Sequence, residues 1–214
     1  EKERAKSRWA QLEAVVGAEP RIKQITEDLI KHFDTRTKTQ PGKAMIVCMS
    51  REICVKFYEA LRKLKPELHD KDLSKGKMKI VMSASASDVK EFQPHHTNRL
   101  QKKDLEKRFK DPSDPLKIVI VRDMWLTGFD APCLSTMYVD KPMQGANLAQ
   151  AIARVNRVFG DKPGGLVVDY IGIAPQLKEA LATYANSNGT VSYTHLRAHE
   201  TDSYLVCRLL LEKR

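Results

Sequence analysis

Short apolar runs bounded by charged or turn-forming residues recur along this chain: Ala44–Met49, Met78–Met82, Leu116–Val121, Thr136–Asp140 and Leu166–Ile171. Each has the length of a strand and too few polar positions to leave one face in water, so each reads as a strand covered on both sides. Between them lie stretches with helical periodicity: Arg51 to about Leu64, Lys102–Phe109, Asn147–Val158, and a closing helix over Pro175–Ala185. Strands and helices alternating at these lengths predict an α/β fold, a parallel sheet sandwiched between helices in three layers. Ligands of such sheets collect at the C-terminal ends of the strands, so the residues that directly follow each run are the candidates for function.

A helical lead-in precedes the first strand. Glu1–Val16 carries Trp9, Leu12, Val15 and Val16 as an apolar stripe, and Gly17 to Pro20 breaks it. Arg21–Phe33 is amphipathic, with Ile22, Ile25, Leu29 and Phe33 on one face. Asp34–Pro41 holds no apolar residue and is predicted to be a loop or linker.

Two stretches after the strands carry chemistry. Leu116–Val121 runs into Arg122-Asp-Met-Trp-Leu-Thr-Gly-Phe-Asp-Ala-Pro132, which supplies Thr127, Gly128 and Asp130 where a strand end can meet a nucleotide. Asp123, Thr127 and Asp130 could also simply satisfy turn backbone. The helix after the next strand contains Gln150-Ala-Ile-Ala-Arg-Val-Asn-Arg157, placing Arg154 and Arg157 at i, i+3 on neighbouring ridges. Two guanidinium forks presented together suit a phosphate chain and the charge that develops during phosphoryl transfer. An Arg-x-x-Arg pair alone is commonly a solvated basic face; the order strand, Thr-Gly-x-Asp, strand, Gln-x-x-x-Arg-x-x-Arg is what gives it meaning. Ser50 and Arg51 open the helix after the first strand, where Ser50 is either a plain N-cap or, with Arg51, an anion contact. Ser83-Ala-Ser-Ala-Ser87 after the second run is a hydroxyl-rich loop. Trp125 could stack on a base or pack internally.

These stretches resemble the fifth and sixth motifs of superfamily 2 helicases and translocases. From about Gly42 to Gly189 the chain is similar to the second motor domain of the R (restriction and translocation) subunit of type I restriction–modification enzymes. The runs that carry the likeness are Gly42–Arg51, Ile120–Pro132, Met137–Met143, Gln150–Arg157 and Gly164–Ile173. Trp-Leu-Thr-Gly-Phe-Asp-Ala-Pro and Asp-Tyr-Ile-Gly are its most specific wording.

The resemblance implies a RecA-like domain over residues 42–189, with 1–41 as the lead-in between motor domains. It implies Arg154 and Arg157 as arginine-finger residues, with Gln150 near the γ-phosphate or the facing domain. Gly128 and Asp130 would lie at the nucleotide, and Ser50, Arg51, Ser83, Arg122, Asp123 and Thr127 toward DNA. Two positions depart from the helicase pattern: Ser83-Ala84 stands where related motors often have Thr-Gly, and Ala153 where a Gly commonly precedes the first Arg.

The sequence contains neither a Gly-x-x-x-x-Gly-Lys-Ser/Thr phosphate loop nor an Asp-Glu pair for magnesium. ATP and Mg2+ would therefore be held mainly by a first motor domain outside these residues, and the chain alone is expected to be inactive. The parent enzyme would be an ATP-dependent deoxyribonuclease that translocates double-stranded DNA together with methylation (M) and specificity (S) subunits in the cytoplasm. Another superfamily 2 helicase and a standalone, non-catalytic DNA-binding α/β module are the competing readings.

Composition agrees with an anionic partner: the net charge is +10 over 214 residues. No apolar run approaches a membrane span, and no signal peptide is expected. Cys48, Cys54, Cys133 and Cys207 lack metal-ligand spacing, so buried free thiols are expected at Cys48 and Cys133. His95, His96, Asp70 and Asp72 form no ligand pattern either and are expected in a solvated loop. Met45, Met49, Met78 and Met82 are expected as core filler.

The absence of an initiating Met suggests a chain cut from something longer. At the other end, Val191–Thr201 matches one translated frame of a transposase-type sequencing-library adapter, and Leu205–Lys213 matches the flow-cell primer that follows an index. On that reading residues 190–214 carry no native function.

Overall fold

The computed structural model describes residues 2–156, 164–173, 175–176 and 207–212, with side chains for 6–156, 164–173 and 175–176. In chain order the helices are α1 (Lys2–Val16), α2 (Glu19–Thr39), α3 (Arg51–Leu64), α4 (Arg99–Lys110) and α5 (Gly145–Val155). The strands are β1 (Lys43–Cys48), β2 (Met78–Val81), β3 (Ile118–Val121), β4 (Leu134–Asp140), β5 (Gly164–Asp169) and β6 (Cys207–Glu212). They form one sheet in the order β2-β3-β1-β4-β5-β6. The first five are parallel, and β6 pairs antiparallel with β5.

The chain leaves β1 toward one edge, reaches β2, then returns through β3 and crosses β1 to β4 and β5. That reversal puts helices on both faces. Side chains of β1 alternate accordingly: Met45 and Val47 enter the core shared with α4, the 122–133 loop and α5, whereas Ala44, Ile46 and Cys48 enter the core shared with α2 and α3. The result is the three-layer α/β arrangement expected from the apolar runs.

Local signals fix the helix ends. Ser50 caps α3, its hydroxyl accepting from the Ile53 N–H at 3.3 Å. Asn98 and Gln101 close a reciprocal capping box on α4. Gly165 is required by close approach: a Cβ there would sit 2.4 Å from the Val155 carbonyl oxygen at the end of α5. Cys48, Cys54 and Cys133 are buried and unbridged, and burial pushes the Cys48 thiol well up.

The expected loop over 34–41 is a correction. Residues 34–39 continue α2, which runs to Thr39. Apolar periodicity stops at Phe33, but polar side chains secure the last turns. Thr35 and Thr37 hydroxyls donate to the Lys31 and Phe33 carbonyls at 2.8 Å, and Arg36 Nε donates to Thr136 Oγ1 of β4 at 3.1 Å. Short 3-10 turns at Pro66–Leu68 and Lys90–His95 interrupt the connections on either side of β2. Of the closing helix, residues 175–176 are helical and the rest lies outside the described residues.

Candidate functional site

The C-terminal edge of the parallel sheet gathers two groups of candidate residues. The first follows β3 and β4. The 122–133 loop returns along the sheet to the start of β4 without forming a helix. Its Leu126, Phe129 and Ala131 share one apolar cluster with Leu148, Ala151, Ile152 and Val155 of α5. Residues of the two motif stretches thus enter one apolar core.

Two residues of the loop are left-handed. Gly128 has φ +68° with nothing within 4 Å of a would-be Cβ, so conformation rather than space requires glycine. Trp125 also has φ +68°, an arrangement a bulky side chain adopts only when its surroundings impose it. The imposing contact is aromatic: Trp125 stacks on Phe129 at 4.4 Å and 6°, and on Phe109 at 5.8 Å. At 9% exposure its ring is a packing element, which decides between the two sequence readings.

The loop's start is held by charge. Asp123 pairs with Arg122 Nε at 3.1 Å and with Lys141 Nζ, while Lys141 also donates to the Arg122 carbonyl at 3.2 Å. Arg122, Asp123 and Thr127 are exposed. Asp123 and Thr127 line a cleft of about 290 Å³ together with Lys141, Gln144 and Asn147, over apolar walls from Leu126 and Met143. α5 begins at this cleft with Gly145 at φ +56° and no side-chain cap from Gln144.

Along α5, Leu148, Ala151, Ile152 and Val155 are buried and Gln150 is exposed. Arg154 is half-buried, and its Nε is enclosed without a hydrogen-bond partner. Asp130 is half-buried as well. Arg157 lies outside the described residues.

The second group follows β1 and β2. Ser50 keeps its hydroxyl on the α3 cap. Arg51 makes a two-pronged ion pair with Asp88, Nη1 to Oδ2 and Nη2 to Oδ1 both at 2.7 Å, and donates to the Ser83 carbonyl at 2.9 Å. Its guanidinium also lies 5.1 Å from the centre of the Phe92 ring. Asp88 further accepts from the Ser85 N–H at 2.8 Å and meets His96 Nε2 at 3.1 Å. The hydrogen bond from Arg51 holds the Asp88 carboxyl below its usual range, and that same bond pushes the Arg51 guanidinium up. Ser83, Ser85 and Ser87 are exposed.

Sequence reasoning misses three features of this edge. Asp88 and Lys141 find their partners far along the chain. The third is the buried pair of Arg21 and Asp140, in which Arg21 Nη2 meets Oδ1 at 2.5 Å and Nη1 meets Oδ2 at 3.0 Å. Arg21 also donates to the carbonyls of Val16 at 3.0 Å and Tyr170 at 2.9 Å, joining the α1–α2 corner to the ends of β4 and β5. Burial pushes the Asp140 carboxyl up against the opposing pull of Arg21. The neighbouring Asp169 is likewise raised by burial; its Oδ1 accepts the Ile171 and Gly172 N–H groups. The only sequence signal for Arg21 is an arginine one residue after the Pro that opens α2.

Among the described residues no group of His, Cys, Asp and Glu could hold a metal ion. None of their helices is long and apolar enough to cross a membrane.

Residues 88–172 match the family model of type I restriction enzyme subunit R domain 3. The chain is 53% identical over 180 residues to the type I restriction enzyme HindI endonuclease subunit of Haemophilus influenzae, covering 83% of this chain and 17% of that protein. It is 47% identical over 186 residues to a candidate type I restriction enzyme subunit of Methanocaldococcus jannaschii, MjaIXP, with 86% of this chain and 17% of that protein covered. The chain therefore spans about a sixth of the length of these relatives. In fold it is similar to a fragment of a candidate HsdR subunit of a type I restriction enzyme from Vibrio vulnificus. The TM-score is 0.55 at 20% identity, covering 79% of this chain and 29% of that one.

Proposed function

Because the chain belongs to the R-subunit family of type I restriction enzymes, we propose that it is the second motor half of an ATP-driven double-stranded-DNA translocase. The observation that carries this is the common packing of the 122–133 loop and α5 at the ligand edge of the sheet. In this role Arg154, together with Arg157, meets a nucleotide held by a preceding motor domain and stabilises charge on the γ-phosphate during transfer. The enclosed, unpartnered Arg154 Nε fits a guanidinium waiting for an anion. Gln150 lies one turn earlier, toward the facing domain. Gly128 allows close backbone approach to the nucleotide, and Asp130 links the loop to that site. Bound ATP with Mg2+ supplies the reactive phosphate chain; the described residues contribute only orientation and charge.

The DNA-facing residues are Ser50 and Ser83, beside the Asp88-paired Arg51, on one side and Arg122, Asp123 and Thr127 on the other. Both groups lie at one sheet edge, so a single duplex backbone can reach them. The whole enzyme is then a cytoplasmic, ATP-dependent deoxyribonuclease working with methylation (M) and specificity (S) subunits.

The test is Arg154→Ala in the complete R subunit, assembled with its companion subunits. DNA-stimulated ATP hydrolysis should fall by about 10³ or more, with Arg157→Ala giving a loss of the same kind. Unchanged hydrolysis in both variants would remove the arginine-finger role.

A further inference from the structure

Arg51 looks like a phosphate contact because it follows a strand and opens a helix. Its surroundings say otherwise. Both ends of the guanidinium fork are taken by Asp88, one of them also by the Ser83 carbonyl, and one face lies over Phe92. Asp88 is the better enclosed partner, with its side chain 3% exposed against 26% for Arg51. It also takes the Ser85 N–H. Together Arg51 and Asp88 therefore tie the start of α3 to both ends of the 83–88 turn.

What this arrangement leaves outward is neutral. Ser83, Ser85 and Ser87 are exposed, and the Ser85 and Ser87 hydroxyls stand 3.1 Å apart. Hydroxyls and loop N–H groups can bind a phosphate oxygen without adding a net charge to the contact.

We infer that Asp88 is a positioning residue for DNA: with Arg51 it forms a clasp that shapes the 83–87 loop into a neutral donor surface for one backbone phosphate, and Arg51 does not itself meet the DNA. This rests on the DNA-translocase reading above and refines which atoms make the contact. The alternative geometry, with Arg51 released to the phosphate, would sacrifice a paired carboxylate left almost without solvent.

The two geometries differ in salt dependence. Each phosphate neutralised by a cationic side chain contributes about 0.9 to the slope of log affinity against log salt. A positioning residue contributes nothing to that slope. The experiment measures duplex binding by the assembled R-subunit complex across a salt series, for Asp88→Asn, Arg51→Gln and the double variant.

Both single variants should weaken binding by about tenfold, the double should be no weaker than either, since one clasp is lost in all three, and the slope should not change. Ser83→Ala, on the exposed loop and outside the clasp, should also weaken binding and shows the effect even where a clasp variant folds poorly. The inference is overturned if Arg51→Gln lowers the slope by about 0.9 while Asp88→Asn binds as tightly as the parent. It is equally overturned if all these variants bind DNA normally. An unsubstituted complex that binds no DNA would overturn the translocase reading itself, and this inference with it.

Discussion

At the residue scale, position decides chemistry more than residue type does. Trp125 could have been a base-stacking platform, yet its left-handed backbone and its stack on Phe129 commit it to packing. His95 shows the same effect on titration. It lies edge-on to Tyr58 at 4.6 Å, and burial, reinforced by Lys79, His69, Arg62 and His96, lowers its pKa to about 4. The unfolded chain takes up that proton near pH 6.5, while the folded chain resists until about pH 4. More protons are bound by the unfolded state within this window, so stability rises with pH there. The contribution is intact above about 6.5 and is lost as the pH falls toward 4. Asp140 and Asp169 work in the opposite sense, because their raised carboxyl pKa values make the folded state take up protons earlier on acidification. The His95 contribution is therefore read as a difference: urea unfolding of the parent and His95→Gln between pH 7 and pH 4.5 should give converging stabilities as the pH falls. Parallel profiles would show that His95 carries no such penalty.

Elements were legible from sequence where apolar residues wrote them. The five parallel strands are nearly continuous buried runs, so their existence and order of appearance follow directly from pattern. α5 reads equally well, since Leu148, Ala151, Ile152 and Val155 recur on one face. The end of α2 does not, because Asp34 to Thr39 contains no apolar residue and is held by hydroxyl-to-carbonyl bonds and by Arg36 on β4. Asp88 could not be read either: its partner lies 37 positions earlier, and nothing in the residues around it marks an ion pair. Gly165 belongs with these unreadable contacts, where one element meets another. A methyl group there would fall 2.4 Å from the Val155 carbonyl oxygen and 2.5 Å from its Cγ1. Gly165→Ala must push β5 and the end of α5 apart, at a cost of about 1–3 kcal/mol. Denaturant unfolding measures this directly, and an unchanged midpoint would mean that α5 does not end against β5 as described.

At the scale of the whole molecule, α2 is joined to the sheet by a polar ladder as well as by its apolar face. Arg21, Asp28, His32 and Arg36 share one side of the helix and reach Asp140, Tyr170, Tyr138 and Thr136 in turn. Ile22, Ile25, Leu29 and Phe33 are buried beside them. The ladder's first rung matters most, because Asp140 ends β4 and the next residue, Lys141, holds Asp123 at the start of the 122–133 loop. The two side chains of that rung are 4% and 0% exposed. Removing one partner of such a pair leaves a charge with neither water nor counter-ion, at about 3–5 kcal/mol, whereas replacing both with apolar groups of similar size is often close to neutral. Arg21→Met should therefore destabilise the chain strongly, and Arg21→Met with Asp140→Leu should recover most of the loss in denaturant unfolding. Additive losses in the double variant would mean that the two side chains contribute independently and not as a pair. Recovery of stability without recovery of DNA-stimulated ATP hydrolysis in the complete R subunit would show what the pair is for: holding the β4 end, and through Lys141 the loop, in the geometry that the proposed motor role needs.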